Sequence, residues 1–92
     1  MRLKEEYQDF FKKYWQEKAT VYLFGSRTDD KALGGDIDIM LVTENKIHHA
    51  EIYKMKEIFY LKFGKQKLDV KVINPNEKTK FATHIIADAI PL

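Results

Sequence analysis

A chain of 92 residues, 45% of them hydrophobic and 13% aromatic, suits one small domain over residues 1–92 with a single core, and leaves no space for a second. Charged residues make up 33%, both signs are interspersed and the net charge is +2, so there is no basic tract of the kind that follows a nucleic-acid backbone. Cysteine is absent, which excludes a disulfide framework and a thiolate zinc site. The opening MRLKEEYQDF lacks the apolar core of a signal peptide and no run is long and apolar enough to span a membrane, so a cytoplasmic protein is expected.

From Leu3 to Trp15, the apolar positions Leu3, Tyr7, Phe10, Phe11, Tyr14 and Trp15 recur at three- and four-residue steps among charged residues, which predicts an amphipathic first helix. Thr20 to Phe24 is short, β-branched and aromatic and stops at Gly25, the pattern of a buried strand. Arg27 to Leu33 is polar and reads as a loop, with Asp29 and Asp30 solvated. Gly34 and Gly35 then turn the chain into a strand from Asp36 to Thr43. Ile37, Ile39 and Leu41 should face helices, which leaves Asp36 and Asp38 on the opposite face.

A second helix is expected from Ile47 to Phe63, ending before Gly64 as its C-terminal cap. Leu68, Val70 and Val72 alternate with Asp69 and Lys71, as in a strand with one apolar and one charged face. Asn74, Pro75 and Glu77 suit the N-cap, first position and third position of a last helix, with Phe81, Ile85, Ile86 and Ala89 on one side. The tyrosines fit as packing residues, and any surplus aromatic surface around Tyr7, Phe11 and Tyr14 would serve a partner. His48 and His49 diverge on a helix and His84 is a surface residue, so none is read as a ligand.

The chemistry concentrates in GSRTDDKALGGDIDIMLV. Two carboxylates at i and i+2 of a strand share a face, and hard divalent cations take one or two such carboxylates together with substrate phosphates. Asp69, in another strand, adds a third acid whose repulsion a divalent cation between them would relieve. Gly25 lets the backbone approach a phosphate, Ser26 adds a hydroxyl and an N–H, and Arg27 is placed to clamp a phosphate oxygen. The plain alternatives are turn chemistry for the Gly-Gly-Asp run and surface pairing of Asp69 with Lys67 or Lys71.

Together, FGSR, GGDIDI and LDVKV resemble the nucleotidyltransferase superfamily typified by DNA polymerase beta and kanamycin nucleotidyltransferase. The closer likeness is to its minimal members, short domains commonly encoded beside a small helical partner of the HEPN type, the two acting as antitoxin and toxin. The resemblance runs from about Thr20 to Ile73. It implies an α/β (α+β) nucleotidyltransferase fold, with a small mixed sheet of about three strands and helices packed mainly on one face.

The resemblance also implies roles. Gly25 and Ser26 match the residues that hold the triphosphate, with Arg27 beside them. Asp36 and Asp38 match the pair that binds one or two Mg²⁺ ions, and Asp69 matches the third acid, which completes the metal site and takes the acceptor's proton. The implied reaction moves AMP from ATP to a tyrosine hydroxyl of the HEPN-type partner, within a homo- or hetero-oligomer. Two rival readings are a non-catalytic antitoxin that acts by occlusion, and the catalytic subunit of a two-subunit transferase acting on a small molecule or RNA.

Overall fold

The computed structural model describes residues 3–25, 36–76 and 89–92. Helix α1 spans Glu5–Trp15, with Glu5 and Glu6 in its first turn and Lys12 and Lys13 in its last, charges that complement the helix dipole at both ends. Leu3, expected inside the helix, lies ahead of it yet is buried, and its carbonyl accepts from Gln8 Nε2 at 2.7 Å. Strand β1 is Thr20–Phe24 and β2 is Ile37–Val42. Helix α2 spans His49–Phe63 and is closed by Gly64, which takes a φ of 93° and donates its N–H to Tyr60 O at 2.8 Å. That left-handed conformation favours glycine, as expected of a residue ending a helix. Strand β3 is Leu68–Ile73 and β4 is Ile90–Pro91.

The sheet has the order β3-β2-β1-β4, with β2 and β3 parallel and the other two pairs antiparallel. The mixed sheet is as expected, but it has four strands rather than about three. At two residues, one of them proline, β4 is too short to show alternation. Its register sets Leu23 against Ile90, and Leu92 N donates to Val21 O at 3.0 Å. Ala89, assigned by spacing to a last helix, instead stands just ahead of β4. Asn74 and Pro75 open a turn in which Asn74 Oδ1 accepts from Asn76 N at 2.9 Å, while Glu77, Phe81, Ile85, Ile86 and His84 lie outside the described residues.

Both helices cover one face of the sheet. Tyr7, Phe11, Trp15, Met55 and Phe59 pack with Val21, Leu23, Ile37, Ile39, Leu41 and Leu68 in the main core. Phe11 and Phe59 stack with centroids 5.2 Å apart, and Tyr7 and Phe10 meet Phe59 edge-on at 5.1 and 5.5 Å. Each such buried side chain stabilises the fold by about 1.5–3 kcal/mol. Tyr7 and Phe11 are therefore core residues, as the packing reading of Tyr7 expected, and leave no surplus aromatic surface at these two positions. Tyr53, expected to pack, is 66% exposed, since its position on α2 lies away from Met55 and Phe59.

The other face is divided along its length. Met40 and Ile73 are buried there, with Tyr22, Phe24, Val42 and Ala89 packed around them. This changes the expected pattern of β3, because Val72 is exposed and Ile73 is the buried residue at that end. Lying on the edge strand, Val72 has a neighbouring strand on one side only. At the end of β2, the buried Thr43 donates its hydroxyl to Lys18 O at 2.6 Å and accepts from Asn45 N at 3.0 Å, fixing the exit of the strand. The acids occupy the opposite end of this face.

Candidate active site

Parallel pairing of β2 with β3 brings the acids together. Its register sets Ile37 opposite Leu68 and Asp38 directly opposite Asp69. Ile37 N donates to Lys67 O at 3.1 Å, which ties the start of β2 to the residue before β3. Asp36 lies one residue ahead of β2. On the other flank, Phe24 pairs with Asp38, so the end of β1 delivers Gly25 to the same place.

Gly25 has a φ of 80°, and a Cβ there would collide with Asp38 Oδ2 and come within 3.1 Å of Asp38 Cγ. The position therefore requires glycine twice over: the left-handed backbone disfavours a side chain, and the Asp38 carboxylate already fills the space. The sequence suggested a phosphate as the group that approaches Gly25, and among the described residues the Asp38 carboxylate stands there. That the approaching group includes Asp38 was not legible, because it depends on the β1–β2 register.

Burial pushes the Asp38 carboxyl above its ordinary 3.8, and the negative charges of Asp69 and Asp36, with a hydrogen bond to Asp69, push it further. The Lys67 ammonium opposes this. Lys67 Nζ lies 3.4 Å from Asp36 Oδ2, with both side chains well exposed. The surface lysine considered as a partner for Asp69 thus pairs with Asp36. Its significance was missed because Lys67 reaches Asp36 only when β2 and β3 are parallel neighbours.

Asp36, Asp38, Asp69 and Gly25 are therefore assembled at one end of the sheet. Ser26 and Arg27 lie outside the described residues, as do Asp29, Asp30 and the Gly34-Gly35 turn. Carboxylate oxygens are the donors a hard cation such as Mg²⁺ takes, and a cation, the Lys67 ammonium, already stands among them. The donor chemistry thus fits the metal. As they stand, however, no three His, Cys, Asp or Glu side chains among the described residues are gathered as a metal site requires. Asp38 and Asp69 stand together, while Asp36 is engaged by Lys67. His48 and His49 are exposed.

Paired acids on adjacent strands stand beside a close-packed glycine, and the fold around them is that of the nucleotidyltransferases. The chain belongs to the family Polymerase beta, Nucleotidyltransferase, whose pattern residues 5–92 match. No protein of curated function matches the sequence.

Among solved structures, a chain in the complex of tri-AMPylated HEPN toxin with MNT antitoxin from Shewanella oneidensis is similar, with a TM-score of 0.59 and 13% identity over 97% of this chain and 71% of that one. A toxin–antitoxin structure with AMP-PNP gives a TM-score of 0.61 and 13% identity over 91% of this chain and 70% of that one. A candidate nucleotidyltransferase from Sulfolobus solfataricus gives 0.55 and 21% identity over 92% and 74%. At these identities the likeness is one of fold. No helix among the described residues is long and apolar enough to cross a membrane.

Proposed function

We propose that this nucleotidyltransferase transfers AMP from ATP to a hydroxyl of a partner HEPN-type toxin and acts as its antitoxin, with Mg²⁺ as the metal. The observation that carries this reading is the register setting Asp38 opposite Asp69, with Gly25 closed against the Asp38 carboxylate. The family supports nucleotide transfer. Two of the similar structures add the context, one containing an AMPylated HEPN toxin with an MNT antitoxin and the other AMP-PNP.

Asp36 and Asp38 would hold the metal and Asp69 would complete its site. Held by these acids, Mg²⁺ would supply positive charge to offset the negative charge that develops on the phosphates. Gly25 and Ser26 would hold the triphosphate, with Arg27 on an outer phosphate oxygen. The acceptor oxygen attacks the α-phosphorus, the bond from that phosphorus to the β-bridging oxygen breaks, and pyrophosphate leaves with the electron pair. Asp69 takes the hydroxyl proton. The exposure of Asp69 leaves it accessible to a macromolecular acceptor, and the protein's task is mainly to align the groups.

The test is intact mass of both proteins after incubation of the chain and its co-expressed partner with Mg²⁺ and each nucleoside triphosphate. Added AMP masses on the partner, with ATP only, are the expected result. A second reading, neutralisation by occlusion alone, is favoured by the absence of three gathered acids among the described residues. Under that reading the partner gains no mass, and a chain carrying Asp36→Asn and Asp38→Asn still protects cells.

A further inference from the structure

Among the described residues, Lys67 already brings a cation to the acid cluster. Lys67 stands immediately ahead of β3, and its carbonyl accepts from Ile37 N at 3.1 Å, which pins its backbone beside the start of β2. Its Nζ reaches Asp36 Oδ2 at 3.4 Å, while the side chain remains 69% exposed. Hydrogen bonding and attraction to Asp36, then the charges of Asp69 and Asp38, hold this ammonium above its ordinary value. The Lys67 ammonium thus lies among the three acids that would hold a metal and makes its contact with the acid lying outside the Asp38–Asp69 pair.

We propose that Lys67 is a positioning residue that stands in for the metal, holding Asp36 apart from the Asp38–Asp69 pair until a divalent cation displaces its ammonium. The inference rests on the reading of these acids as a metal site. An exposed ion pair of this kind is weakly held, and the long lysine stem lets the ammonium swing into water without disturbing the backbone. A compact point charge suits such an occupant better than a planar guanidinium, which grips a carboxylate through two bonds. Lys67 therefore lowers the repulsion among the acids in the metal-free chain and competes with the metal for Asp36.

The competition is read by titrating Mn²⁺ into the purified chain without nucleotide and following the free Mn²⁺ signal by electron paramagnetic resonance. Lys67→Met, which keeps the stem and removes the charge, is expected to bind Mn²⁺ on the order of three- to tenfold tighter. Lys67→Arg should bind no more tightly than the parent chain, and Asp38→Asn should lose the site. Thermal unfolding in EDTA verifies that each variant is folded, and Lys67→Gln provides a second neutral side chain. Equal or weaker binding by both neutral variants, while binding still depends on Asp38, overturns the role of Lys67 and leaves the metal reading standing. Absence of Asp38-dependent binding in every chain overturns both.

Discussion

The two faces of the sheet are built from the same strands but obey different constraints. Toward the helices, Leu23, Ile37, Ile39 and Leu41 are fully or almost fully shielded by α1 and α2, and the aromatic cluster around Phe59 fills the space between them. On the opposite face, apolar packing gathers around Met40 and Ile73, while Asp38 and Asp69 oppose each other with Phe24, a member of that apolar cluster, beside Asp38. The first arrangement follows from burial of apolar surface alone. The second half-buries Asp38 and places like charges beside it, and both raise its proton affinity, a cost with no counterpart in the core and one that a bound cation would offset. Stability should therefore reside mainly on one face and chemistry at one end of the other.

The sharpest break in this division is expected from Phe59→Ala. Phe59 is fully buried and touches Tyr7, Phe10, Phe11 and Phe63, so the cavity should cost about 3–5 kcal/mol in urea unfolding, a large share of what a small domain has. Gly25→Ala should cost less, about 1–3 kcal/mol, from the left-handed backbone and the collision with Asp38. Placing it in an Asp38→Ala background separates the two causes, because only the backbone strain survives there. A full Gly25→Ala penalty in that background would mean that the close approach to Asp38 does not constrain the site.

The smallest effect concerns pH. Because the Asp38 carboxyl is raised above 3.8 in the folded chain, the folded state binds more protons than the unfolded one between those two values. The contribution of Asp38 to stability is full below 3.8, declines as pH rises through the raised value, and stays lost above it. Asp38→Asn should remove this decline, so unfolding followed from about pH 3 to pH 7 should show the parent chain losing ground to the variant. A constant difference across that range would contradict the raised proton affinity that burial, together with Asp69 and Asp36, gives Asp38.

Much of this division was legible in the sequence. The three-and-four spacing of Tyr7, Phe11 and Trp15 identified the buried side of α1, Gly64 marked the end of α2, and the alternation of Asp36 and Asp38 with Ile37 and Ile39 assigned the acids to the face away from the helices. Long-range register was not legible. The Asp38–Asp69 apposition, the Lys67–Asp36 pair and the contact of Gly25 with Asp38 each depend on which strands are neighbours and in what direction, information that no single segment carries. The two-residue β4 and the burial of Ile73 in place of Val72 escaped for the same reason, since both are set by the partner strand.

The central claim, that the acids serve chemistry and not the fold, is tested most directly by measuring stability and AMP transfer on one variant carrying Asp36→Asn and Asp38→Asn. The expected result is a urea midpoint equal to or above that of the parent chain, with the proposed transfer from ATP to an HEPN-type partner reduced by about a thousandfold or more. Transfer that survives in the variant, or a midpoint that collapses, would contradict the claim.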